Sequence, residues 1–127
     1  MNEVENTLKN SNYIYQIDKI LFYIGAPTKR VGYKYSLFMI DAVAKDESNL
    51  KLLTKNLYPK TARRFNTTPA SVESALRRLS FECWKNNNIY FRQLFGDNRK
   101  KPPSNRLFLS RIAKNTRNTR RQALGEL

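Results

Sequence analysis

The stretch that decides the fold of this chain is NTTPASVESALRR, from Asn66 to Arg78. Asn tolerates the left-handed backbone conformation in which a helix ends. Thr68 followed by Pro69 is typical of the first residues of a new helix. Apolar residues then recur at helical spacing, starting from Val72. The stretch therefore predicts a turn between two helices.

The residues around this turn have the spacing of a helix-turn-helix, which we place at residues 58–86. Ala62 is small at a point where two helices would cross closely, the turn residue Asn66 comes four positions later, and the β-branched Val72 follows after six more. The alternative is an ordinary pair of neighbouring helices, which any all-helical domain contains.

The rest of the chain predicts an all-α fold, with one domain of six or seven helices and no strand of period two. Glycine and proline mark helix ends, and acidic residues precede a third leucine-rich helix at about residues 46–59. The predicted organisation has three parts: a flexible N-terminal lead at 1–12, a helical DNA-binding domain at 13–115, and a basic C-terminal tail at 116–127.

The outward face of the second helix of the pair carries short or long polar side chains. Arginine can bond guanine, glutamate can accept a hydrogen bond from cytosine, and serine suits either kind of base edge. The candidates for base contacts are Ser71, Glu73, Ser74 and Arg77. The candidates for phosphate contacts are Arg63, Arg64, Thr67, Thr68, Arg78 and Lys101. The alternative for Glu73 and Arg77 is a surface ion pair worth about 0.2–0.5 kcal/mol.

The charge of the chain is concentrated on one side of the sequence. Its net charge is +14, yet residues 1–50 contain six basic and six acidic side chains, so all of the excess lies in residues 51–127. Such asymmetry indicates a polyanionic partner. We expect the basic tail to contribute phosphate contacts without base specificity.

The composition excludes several kinds of chemistry. The chain has no histidine and one cysteine, so the commonest general base and a thiolate zinc site are both missing. No phosphate-binding glycine loop is present. We therefore expect no enzyme activity, no cofactor and no metal, with Cys83 buried in the core. The polar N-terminus and the lack of a long apolar run favour a cytoplasmic protein without membrane association.

Five stretches of the sequence resemble a known family. They are LFYIGAP (21–27), GYKY (32–35), LYPKTARRFNTTPASVESALRR (57–78), NIYFRQLFG (88–96) and KPPSNRLFLSRIA (101–113). In this order and spacing they are similar to the DNA-binding effector domain of the sporulation master response regulator, stage-zero sporulation protein A. The resemblance implies an all-helical fold, binding to a short DNA box, tandem occupancy of adjacent boxes by a dimer, and contact with the RNA polymerase sigma subunit.

The sequence departs from that family in two respects. The family regulator begins with a phosphoacceptor receiver domain, which these 127 residues lack, so the chain is either a free-standing relative or an excised domain. Ser71 and Ser74 stand where the family has basic DNA contacts, whereas Glu73 and Arg77 match it. The predicted function is a sequence-specific double-stranded DNA-binding transcription regulator. The alternatives are a protein-interaction modulator of a full-length regulator or sigma subunit, and a non-specific nucleic-acid binder.

Overall fold

The computed structural model describes residues 3–123 and the side chains of residues 13–122. Within this range the chain forms six α-helices and no strand, which confirms the predicted all-α single domain. The helices are α1 (Glu3–Tyr23), α2 (Val31–Lys45), α3 (Tyr58–Arg64), α4 (Pro69–Asn86), α5 (Ile89–Phe95) and α6 (Asn105–Ala123).

The third predicted helix is corrected by the structure. A 3₁₀ turn over Glu47–Leu50 and a π-helical turn over Leu53–Leu57 occupy this region. The amide of Asn49 donates to the carbonyl oxygens of Ala42 and Asp46, at 2.9 and 3.0 Å, and the Asp46 side chain accepts from the Ser48 amide at 3.0 Å. These side-chain bonds to the backbone hold a tight turn against the end of α2, in place of a regular α-helix.

Both terminal helices extend beyond their predicted limits. Helix α1 begins at Glu3, within the predicted lead, and α6 continues to Ala123, well into the predicted basic tail. Thr116 is completely buried and Arg117 forms an ion pair with Glu47 at 2.8 Å. Arg120 lies over the ring of Tyr13, 4.7 Å from its centroid. These contacts explain why the helix continues past Asn115; residues 1–2 and 124–127 lie outside the described range.

The core lies where α2 contacts α1, α4 and α6. Its fully buried side chains are mainly aliphatic, and α5 joins it through stacked rings. Phe95 lies 4.8 Å from Phe91 and 5.7 Å from Phe108, centroid to centroid. The helices that flank the turn at Asn66 are held to this core, because α4 packs on α2 and α6 and α3 packs on α4, α2 and the π-helical turn. Within residues 3–123, none of the helices combines the length and apolarity that crossing a membrane requires.

Candidate nucleic-acid interface

Helix α3 ends in the turn that the sequence predicts. Asn66 has a φ of 55°, in the left-handed region. The amide of Thr67 donates to the Ala62 carbonyl at 2.9 Å, and the amide of Asn66 donates to the Arg63 carbonyl at 3.4 Å. This pair of bonds is a Schellman motif, which satisfies the last carbonyls of a helix and reverses the chain. It directs the backbone from α3 into α4 within a few residues.

Helix α4 begins with the predicted cap. The Thr68 hydroxyl oxygen accepts a hydrogen bond from the Ser71 amide at 3.1 Å, and the same hydroxyl donates to Ser71 Oγ at 2.9 Å. Pro69 occupies the first turn, where its missing N–H has no cost. The N-terminal end of α4 is therefore held by its cap, and the side chains of its first turns project from a defined position.

The two sides of α4 differ in character. Val72, Leu76 and Leu79 are buried almost completely against the core. The candidate base-reading residues lie on the other side: Ser71, Ser74 and Arg77 are exposed, and Glu73 is partly buried. The structure brings Glu73 and Arg77 into contact, and Ser71 and Ser74 are exposed in the same turns of the helix.

Glu73 and Arg77 are paired on that face. Arg77 Nη2 lies 2.6 Å from Glu73 Oε1, and their side chains are 62% and 42% exposed for Arg77 and Glu73 respectively. This is the (i, i+4) pair that the spacing allows. Each side chain therefore partly satisfies the other, and the exposed guanidinium of Arg77 has donors beyond the one in this pair.

Most candidate phosphate contacts are exposed on α3, α4 and the loop that precedes α6. They are Arg63, Arg64, Thr68, Arg78 and Lys101, whereas Thr67 is partly buried. The position of Lys101 is set by its neighbours in the loop. Trp84 Nε1 donates to the Arg99 carbonyl at 2.9 Å, and Ser80 Oγ donates to the Pro103 carbonyl at 3.2 Å. The loop is consequently attached to α4, so Lys101 keeps a fixed relation to that helix.

Asn105 also belongs to this region, although no sequence pattern singles it out. It is the first residue of α6, and its side-chain amide donates to Tyr58 Oη at 3.2 Å and to the Glu73 carbonyl at 3.1 Å. The sequence signal is only a polar residue before an apolar helix, which predicts a helix start. The two long-range bonds could not be predicted from it.

Many of the arginines in the basic half of the chain have structural partners. Arg106, Arg111 and Arg117 on α6 donate to the carbonyls of Leu50, Leu94 and Val43, with distances of 2.9 Å to Leu94 and 3.4 Å to Val43. Each of these carbonyls lies in the last turn of a helical segment, where acceptors lack intrahelical partners and the helix dipole favours a cation. Part of the +14 charge therefore stabilises the fold.

Cys83 is buried, as predicted. Burial raises the pKa of its thiol to about 12, and the neighbouring Glu82 carboxylate acts in the same direction. A thiol in this environment stays protonated and unreactive at neutral pH. Trp84 is partly buried and bonded to the loop, so its indole serves packing and the attachment of that loop.

A capped helix with a polar outward face, entered through a tight turn and flanked by exposed cations, is consistent with the helix-turn-helix class of DNA-binding domains. Residues 17–116 match the family described as Sporulation initiation factor Spo0A C terminal. Because the match covers most of the chain, the protein belongs to this family. Its members are DNA-binding effector domains of transcription regulators and are not enzymes.

Proposed function

We propose that the protein binds double-stranded DNA sequence-specifically and regulates transcription by placing the first turns of α4 in the major groove. The observation that carries this proposal is the division of α4 into two faces. Val72, Leu76 and Leu79 are buried, whereas Ser71, Glu73, Ser74 and Arg77 are exposed or partly exposed in its first turns. The apolar Phe81 is exposed only further along the helix. The major groove admits such a helix and presents a distinct donor and acceptor pattern for each base pair.

The side chains on this face suit different parts of base reading. Ser71 and Ser74 are short, so the backbone of α4 can approach the base edges closely. Arg77 reaches further and suits guanine O6 and N7, and Glu73 suits the amino group of cytosine. Their ion pair holds both side chains on the same side of the helix, so the pair is suited to reading neighbouring bases.

The exposed cations suit the DNA backbone. Arg63 and Arg64 end α3, Arg78 follows the reading turns of α4, and Lys101 lies on the loop attached to α4. Phosphate contacts of this kind orient a protein on the duplex without reading its sequence. Thr67 and Thr68, beside the start of α4, suit a further phosphate.

The test is selection of bound duplexes from a random library by the purified 127-residue protein, at roughly 150 mM salt, where non-specific binding is weak. A recovered motif is expected. Arg77→Ala should then weaken binding to that motif by about 1–3 kcal/mol and relax the preference at one base position.

The matched control is Arg30→Ala. Arg30, which precedes α2, forms an ion pair at 2.7 Å with Glu82 in the C-terminal half of α4, away from the proposed reading turns. Its removal should leave the motif intact. Equal losses for both variants, or equal loss of Arg77→Ala on all sequences, would refute the reading role of Arg77. Uniform binding that salt abolishes would support non-specific binding, and no binding would favour the protein-interaction alternative.

The resemblance to the sporulation regulator also suggests two partners beyond one DNA box. One is a second copy on an adjacent box, and the other is the sigma subunit of RNA polymerase. A duplex with two recovered motifs, analysed by sedimentation, tests the first. Co-sedimentation with purified sigma subunit, with and without that duplex, tests the second.

A further inference from the structure

Asn105 connects three parts of the chain that are distant in sequence. Its side-chain amide has two protons, one bonded to Tyr58 Oη and the other to the Glu73 carbonyl. Tyr58 begins α3, Glu73 lies in the second turn of α4, and Asn105 itself begins α6. One partly buried side chain thus links both helices around the turn to the segment that follows the Lys101 loop.

The carbonyl that Asn105 contacts has a particular position in α4. In an α-helix the backbone carbonyl of residue i accepts from the backbone N–H of residue i+4, so the Glu73 carbonyl also accepts from the backbone N–H of Arg77. Asn105 therefore holds the helical turn that carries Glu73 and Arg77, two of the four proposed base-reading side chains. A small rotation of α4 about its axis would break this bond and would move Glu73 and Arg77 together.

The surroundings of Asn105 place it next to the proposed DNA surface. Together with Tyr58, Glu73, Arg77 and Pro103 it lines an open groove of about 370 Å³. The Tyr58 hydroxyl oxygen accepts from Asn105 at 3.2 Å, and burial raises the pKa of Tyr58 above its ordinary value. The groove lies between α4 and the segment that follows Lys101.

We infer that Asn105 is a positioning residue for base reading: its bond to the Glu73 carbonyl fixes the rotation of α4 relative to α6 and to the Lys101 loop, so that base and phosphate contacts form in one register. This inference rests on the proposed function, because it concerns the same DNA surface. It assigns to Asn105 no contact with DNA.

The test compares the affinity for the selected motif with the affinity for an unrelated duplex of the same length. Asn105→Ala removes the bond to the Glu73 carbonyl together with the bond to Tyr58. Loss of the Glu73 bond should lower the ratio of the two affinities roughly three- to tenfold, about the effect of one hydrogen bond. Asn105→Asp should lower it as well, because a carboxylate cannot donate to the Glu73 carbonyl. Aspartate in the first turn of α6 interacts favourably with the helix dipole, which offsets part of the repulsion between the new carboxylate and the Glu73 carbonyl oxygen. Thermal melts of both variants, which must remain folded at the assay temperature, separate positioning from folding.

Two further variants sharpen the result. Tyr58→Phe keeps the bond between Asn105 and Glu73, so its affinity ratio should stay within about twofold of the unsubstituted protein. Asn118→Ala removes an exposed amide further along the same helix and should change neither affinity.

The inference is overturned if Asn105→Ala and Asn105→Asp lower both affinities by the same factor, or if neither changes the ratio while Arg77→Ala does. If Arg77→Ala also leaves the base preference unchanged, the result refutes the proposed reading function itself and not only the role of Asn105. The two failures are therefore distinguishable.

Discussion

Gly32 in α2 packs directly against the backbone of Ala75 in α4. A Cβ atom added at Gly32 would lie 2.8 Å from the Ala75 carbonyl oxygen, closer than real Cβ contacts come. Gly32 is buried at this crossing. The distance between α2 and α4 therefore depends on the absence of a side chain at Gly32. This distance also sets how far the exposed side of α4 projects from the domain.

Gly32→Ala should therefore destabilise the protein. The added methyl group meets backbone, which cannot rotate away as a side chain could, and overpacking of this kind typically costs about 1–3 kcal/mol. Urea unfolding followed by circular dichroism measures the change in the free energy of unfolding. Val31→Ala, at the exposed neighbouring position, should change it by no more than about 0.5 kcal/mol. If the two variants are equally stable, the close approach of α2 and α4 does not limit the packing.

The start of α4 gives a second prediction. Thr68→Ala removes the acceptor for the Ser71 amide and the hydroxyl bond to Ser71 Oγ, and loss of such a cap should lower the free energy of unfolding by about 1 kcal/mol. Thr68→Ser keeps the hydroxyl and should retain most of the stability. If Thr68→Ser loses as much as Thr68→Ala, the methyl group rather than the cap stabilises this end of the helix.

Features governed by local chemistry were predictable from the sequence. The left-handed Asn66, the cap at Thr68, the buried Val72 side and the (i, i+4) pairing of Glu73 with Arg77 depend on residues within one or two helical turns. The contacts of Asn105 and Arg117 join residues 32 or more positions apart, and no local pattern encodes them. The basic segment after Asn115 was predicted to be a tail because the sequence shows only that it is polar. Its partners, the Val43 carbonyl on α2 and the Glu47 carboxylate on the turn after α2, are visible only in the structure.

The buried thiol of Cys83 gives a third prediction, on reactivity and pH. Because burial raises its pKa from 9.0 to about 12, the folded protein should resist alkylation by iodoacetamide at pH 8, and reaction should follow unfolding or local opening. Above pH 9 the unfolded thiol ionises while the folded thiol keeps its proton. The folded state then binds more protons, so stability should fall as the pH rises from 9 towards 12.

The measurements for Cys83 are mass spectrometry after alkylation and urea unfolding across this pH range. Cys83→Ala is the control, since it should lack the thiol's contribution to the pH dependence even though it is less stable overall. Rapid alkylation of the folded protein at pH 8 would contradict the burial of this side chain.

The fourth prediction separates arginines that suit DNA from arginines that stabilise the fold. Arg63 and Arg64 are exposed at the end of α3, so replacing both with glutamine should reduce the slope of log affinity against log salt by about two, near 0.9 for each lost phosphate contact. Replacing Arg111 and Arg117 removes the same charge but also the bonds to the Leu94 and Val43 carbonyls.

The double variant at Arg111 and Arg117 should leave the salt slope nearly unchanged. It should lower the free energy of unfolding by about 1–3 kcal/mol, because each lost donor leaves a helix-end carbonyl without its partner. Fluorescence anisotropy with a labelled duplex at several salt concentrations measures the slope, and urea unfolding measures stability. Equal reductions of the slope in both double variants would mean that the overall charge attracts DNA wherever it lies. A reduced slope for Arg63 and Arg64 alone would instead place the phosphate contacts beside the turn at Asn66, where α3 ends and α4 begins.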